Sequence, residues 1–182
     1  MKTILVALIA SLAQPALAQT AGDTFQDRDD GAKAHASGFV CPQKIGEFER
    51  DAVGEADPET KSDFCAYSAI GGVYGTVRLT PLSGPYDPKA ALRSDFSEQE
   101  ATGGKRIGET PLRLKNAPVS VYTRTYSTGR AESLEYRIVF TGARIGNWAV
   151  ETTVEYADPR DAQTEADFLQ AIYSAAVRQI VE

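Results

Sequence analysis

The stretch that decides the fold is residues 119–156, VSVYTRTYSTGRAESLEYRIVFTGARIGNWAVETTVEY. It reads as three strands, 119–126, 132–141 and 147–156, in which β-branched and aromatic residues alternate with polar ones between Gly- and Asn-bearing breaks. A two-residue turn at Gly129-Arg130 would set Thr125 opposite Leu134, Thr123 opposite Tyr136, Val121 opposite Ile138 and Val119 opposite Phe140. Arg124 would then face Glu135. A five-residue loop over 142–146 would put Phe140 against Trp148 and Ile138 against Val150, and align Arg137 with Glu151. The predicted sheet therefore has one apolar face, made by Leu134, Tyr136, Ile138, Phe140, Trp148, Val150 and Val154.

An apolar sheet face needs a cover, and the C-terminal segment supplies one. Phe168, Leu169, Ile172, Ala176, Val177 and Ile180 recur at helical spacing, predicting an amphipathic helix of about 18 residues with Thr164 as its cap and Asp167 in its first turn. Trp148 is expected beneath it. Upstream, 64–70 and 73–80 flank Gly71-Gly72, a tight hairpin turn in which Val73, Gly75, Val77 and Leu79 face the core. Asp87 caps a helix that begins at Pro88, carries Leu92 and Phe96 on one side and stops at Gly103-Gly104. A short strand is expected over 111–114, and Ile45 and Phe48 mark a short first strand or turn before an acidic loop that runs to Ser62. The expected fold class is α+β: an antiparallel sheet with a hairpin, a capped helix, a three-strand meander and a C-terminal helix packed on the sheet.

The N-terminal end is of a different kind. Lys2, an apolar run over 4–13 and Ala16-Leu17-Ala18 have the form of an export signal cleaved after residue 18. No cysteine follows the cut, which excludes lipid attachment there, and no second apolar stretch is long enough to hold the chain in a membrane. Residues 19–38 carry one aromatic among small and charged side chains, so a flexible acidic leader is expected before a single domain over 39–182. Asp27, Asp29, Asp30 and Gly31 resemble a calcium loop, but Gly38 occupies the twelfth position, where a bidentate Glu belongs. Export places Cys41 and Cys65 where thiols are oxidised, so a disulfide is expected. Closing a loop of about 25 residues would stabilise by about 3.5 kcal/mol on chain-entropy grounds.

Composition narrows the chemistry. The chain has 19 Lys and Arg against 25 Asp and Glu, and signal cleavage removes one of the bases, Lys2. An acidic surface without a basic cluster disfavours nucleic acid and anionic lipid. The single histidine, His35, falls in the expected leader, which argues against Ser-His-Asp or Cys-His hydrolysis. No Cys or His pair has metal-ligand spacing, and neither glycine pair has a phosphate-loop context, so no cofactor or metal is expected. The candidate interaction surface is the polar side of the meander: Tyr122, Arg124, Tyr126, Glu135, Arg137 and Glu151, with Glu155 beside them. Solvation of a sheet face tied by Arg124–Glu135 and Arg137–Glu151 pairs would explain the same residues.

The order of hairpin, capped helix, meander and closing helix from Ile45 to Ile180 resembles the PsbP-like α/β/α sandwich, although the early Gly-Trp that often follows that family's first strand is absent. The resemblance implies a non-catalytic accessory or binding module in an exported protein, and it assigns no residue a role. The expectation is a periplasmic or secreted binding protein with a protein or small-molecule partner. Alternatives are an envelope hydrolase using a carboxylate pair and an inhibitor or chaperone-like subunit.

Overall fold

The structure, a computed structural model, describes residues 24–115 and 119–180, so the expected export signal lies outside the described residues. Three short strands come first: β1 (Phe25–Asp27), β2 (Lys33–His35) and β3 (Val40–Cys41), which form a small sheet of their own. Then follow β4 (Lys44–Ile45), β5 (Phe48–Asp57), β6 (Ser62–Ala69), β7 (Val73–Pro81), α1 (Pro88–Ala91), α2 (Arg93–Ala101), β8 (Lys105–Glu109) and β9 (Leu112–Arg113). The chain closes with β10 (Ser120–Ala131), β11 (Leu134–Ile145), β12 (Trp148–Asp158) and α3 (Ala162–Gln179). The fold is α+β. β4 to β12 make one nine-stranded sheet in the order β4-β5-β6-β7-β12-β11-β10-β8, with β9 paired to β10. Two antiparallel meanders thus meet where β7 pairs with β12.

Helices cover both faces of this sheet. On one face, α3 buries Phe168, Leu169, Ile172, Tyr173 and Ala176 against Val73, Val77, Val139, Val150 and Val154. On the other, Leu92 and Phe96 pack on Tyr126, Ile138 and Phe140 in a second, smaller core. Each fully buried side chain of this kind contributes about 1.5–3 kcal/mol. Ile138, Val139 and Phe140 are consecutive and all buried, which requires a strand covered on both faces.

That double cover comes from a register different from the expected one. The β10–β11 turn sits at Glu132-Ser133, with Ala131 opposite Leu134 and Glu132 at φ 53°, while Gly129 lies beside a bulge at Thr128. Arg124 therefore faces Phe140, not Glu135, and Tyr126 faces Ile138. The β11–β12 turn is Gly146-Asn147, not a loop over 142–146; Arg137 opposes Tyr156, and Glu151 opposes Gly142 and Arg78. Gly142 has another use: a Cβ there would lie 2.6 Å from Tyr86 Oη and 3.1 Å from Pro88, so it lets the segment that starts α1 approach the sheet. The expected apolar face is divided accordingly, Ile138 and Phe140 joining α2 while Val150 and Val154 join α3.

Other expectations hold or shift locally. Val73, Gly75, Val77 and Leu79 point into the core, and Gly71 and Gly72 take φ of 95° and 81°, but the loop has three residues because Ala69 opposes Val73. The Asp87 carboxylate accepts from Lys89 N, and Pro88 opens α1 as expected; Leu92 then breaks the segment into two helices. α3 begins after Asp161, not Thr164, and the Asp161 carboxylate accepts from Ala157 N instead of capping the helix. The acidic segment expected as a loop is largely β5, and β8 is a strand that the sequence reading did not place. Cys41 and Cys65 are bonded, their Cα atoms 6.3 Å apart, joining the small sheet to β6.

The largest correction concerns the expected flexible leader. From Phe25 onward it is folded onto the sheet. Its polar composition conceals hydrogen bonds that reach far along the chain: Val40 N donates to Gln179 Oε1 at 3.0 Å, and Arg50 donates to the carbonyls of Cys41 and Gly31.

Candidate functional site

The six residues expected to form one surface fall on two faces. Tyr126 is fully buried, and its hydroxyl donates to Glu100 at 2.9 Å. Burial raises its pKa. The Arg124 guanidinium stacks 4.0 Å from the centre of the Phe96 ring and donates to Glu109 at 3.0 Å. Glu151 is buried between Arg78 Nε and Tyr86 Oη, each 2.7 Å away, and Asp95 takes a second nitrogen of Arg78. Tyr122, Arg124, Tyr126 and Glu151 thus line the seam that docks α1 and α2. Glu135 and Arg137 lie on the α3 side, paired at 2.7 Å, with Asp158 at 3.0 Å from the same guanidinium. The hydrogen bond from Arg137 holds the Glu135 carboxyl below its ordinary pKa.

What remains open is the sheet beside the end of α2. Tyr74 on β7, Glu155 on β12 and Ile138 and Tyr136 on β11 share that face, with Tyr74 directly across from Glu155 and Glu155 directly across from Ile138. Tyr136 is two residues along β11 and hence diagonal to Glu155. These strands floor a groove of about 360 Å³, walled by Gln99 of α2, the Gly71-Gly72 turn, Thr128 in the bulge and Arg160. Tyr74 and Tyr136 are 55% and 44% exposed, among the largest apolar exposures of the molecule. Along β7 and β12 the face continues into a second hollow of about 250 Å³ lined by Phe64, Ala66, Thr76 and Thr153. A concave site with aromatic walls and a few convergent polar groups is the form that ligand sites take. Of the residues named in advance, only Arg137 and the neighbouring Glu155 line the groove. The signal for Tyr74 was its place on the outward side of the hairpin arm; for Tyr136, a register error concealed it.

One cluster bears on catalysis. His35, expected in a mobile leader, is buried between the rings of Phe25 and Trp148, with centroids 5.0 and 5.1 Å away. Its Nε2 lies 3.1 Å from Asp63, and its Nδ1 lies 2.8 Å from Ser37 Oγ, so the three group types of a serine hydrolase are assembled. The donors that should meet an oxyanion are spent elsewhere. Ser37 N donates to Nδ1, Gly38 N to the His35 carbonyl and Phe39 N to Ser37 Oγ itself, which closes a turn on the serine. The cluster fastens the N-terminal segment to β6. Among the described residues, no group of three His, Cys, Asp or Glu side chains is placed to hold a metal, and no helix is long and apolar enough to cross a membrane.

No family model matches the chain, and neither a curated protein nor a solved structure is similar to it.

Proposed function

We propose that this is an exported, non-catalytic binding module of the cell envelope whose ligand seats in the groove between Tyr74 and Tyr136. The observation that carries the reading is the pair of tyrosines, more than two-fifths exposed, on either side of a concave sheet face that no helix among the described residues covers. Tyrosine combines a large rigid contact area with a polar tip, and exposing two together is unfavourable unless something covers them. Two further features support the placement outside the cytoplasm: the signal-like 1–18 and the Cys41–Cys65 bond. The order of elements expected from the sequence resembles the PsbP-like sandwich, a resemblance that implies an accessory role.

The reading is tested by titrating tyrosine-labelled protein with fractionated envelope extract and following the ring resonances by NMR. Tyr74 and Tyr136 should shift together, and Tyr74→Ala and Tyr136→Ala should each abolish the response with little change in melting temperature. Undiminished binding by both variants would refute the site. Export is tested separately, by N-terminal sequencing of the protein from the producing organism, which should begin at Gln19.

A further inference from the structure

The charges around the groove indicate what it takes. One guanidinium on the groove's face lines it and is already matched: Arg160 binds Asp161 at 2.8 Å and donates to the Gly71 carbonyl, while the Arg137 guanidinium lies on the α3 side, bound to Glu135 and Asp158. Glu155 is the one lining carboxylate, and among the described residues it makes no ion pair. On the groove's own face Arg160 is matched by Asp161, which leaves the Glu155 carboxylate as the uncompensated charge and makes the local field negative.

We infer that the groove binds an organic cation, an ammonium group on an apolar stem, seated over Glu155 between the faces of Tyr74 and Tyr136. This rests on the binding reading above. Tyrosine faces carry the negative end of the ring quadrupole and attract cations most strongly when water is displaced. A carboxylate on the strand between them, directly opposite Tyr74 and diagonal to Tyr136, adds negative charge to the same floor. The alternatives fare worse: an anion would meet a negative field, and a neutral ligand would cover Glu155 without pairing it, which carries the cost of desolvating an uncompensated charge. Gln99 and Thr128 can hydrogen-bond the polar end of such a ligand. The ammonium could belong to a free small molecule or to a lysine side chain of a peptide.

The test uses three probes on the full folded chain: choline, N-acetyl-lysine methylamide, and 3,3-dimethylbutan-1-ol, the neutral counterpart of choline. Calorimetry and tyrosine NMR should show at least one cation binding about tenfold more tightly than the neutral alcohol. Preference for choline or for the lysine derivative identifies the free or the peptide source. Glu155→Gln should weaken the cations by about tenfold and leave the alcohol unchanged. Equal binding of cation and alcohol, indifference to Glu155→Gln, or no binding of either cation at about 10 mM overturns the inference. If extract binding needs Tyr74 and Tyr136 but not Glu155, the groove stands and only the cation fails. If the tyrosine variants bind normally, both fail.

Discussion

At the scale of single residues, two titrating groups act on stability in opposite directions. Burial lowers the His35 pKa, partly offset by Asp63, and Nδ1 already accepts the Ser37 N–H, so the folded state favours the neutral ring. The stability this supplies is present above the unfolded value of about 6.5 and is lost as pH falls below it. Glu165 is the reverse: burial pushes its carboxyl up to about 7, despite the attraction of Arg137. Its contribution is complete below the ordinary carboxylate range and is lost as pH rises through about 7. The two slopes oppose each other below the unfolded histidine value of about 6.5, so the native profile there should be shallower than either group alone would give. Glu165→Gln should raise stability by about 2 kcal/mol at pH 8 and expose the acid-side loss due to His35. Urea midpoints at pH 5, 6.5 and 8 check this; a variant profile as flat as the native one would mean that His35 does not titrate as described. The His35 shift was not legible in the sequence, because the residue lies between Ala34 and Ala36 in a polar stretch and its partner Asp63 is 28 positions away.

At the scale of elements, the sequence was most legible where one face alone is buried. The alternation from Val73 to Leu79, the Asp87-Pro88 start and the helical repeat of α3 each depend on local chemistry, and each is in place. Turn positions were less legible: Gly129, Gly142 and Gly146 all suit a turn, but only Gly146 makes one. Gly129 pairs with Tyr136 beside the Thr128 bulge, and Gly142 admits a close approach of Tyr86 and Pro88, a need that arises only from the tertiary structure. The consecutive Ile138, Val139 and Phe140 held the missing information, since no single-faced strand carries such a run. A double-mutant cycle decides the register. Arg124 should couple to Glu109 by about 0.5–1 kcal/mol and to Glu135 not at all. Gly75 gives a second test, because a Cβ there would lie 2.7 Å from the Phe168 ring. Gly75→Ala should cost about 1–3 kcal/mol by forcing α3 away from β7, read as a lowered urea midpoint at unchanged slope.

At the scale of the whole molecule, the N-terminal segment decides where the domain begins. A start near Phe39 follows from composition, since 19–38 has too little apolar surface to order itself. Residues 24–38 are nevertheless held by what they dock on: the His35 ring packs between those of Phe25 and Trp148, edge-on to the indole, the Cys41–Cys65 bond fixes the segment's end, and Gly38 lies so close to the α3 terminus that a Cβ would meet the Gln179 carbonyl at 2.9 Å. Trp148 is the only tryptophan, so its emission reports this docking directly. A chain starting at Phe39 keeps the disulfide and both cores but uncovers the indole and leaves Asp63 without His35. Its emission should shift to the red, and its stability at pH 7 should fall by about 2 kcal/mol, the worth of roughly one buried side chain. His35→Ala in the full chain should give part of both effects, because Phe25 and the β1–β2 pairing remain. If the shortened chain keeps the native emission and urea midpoint, the N-terminal strands are an appendage and not part of the domain.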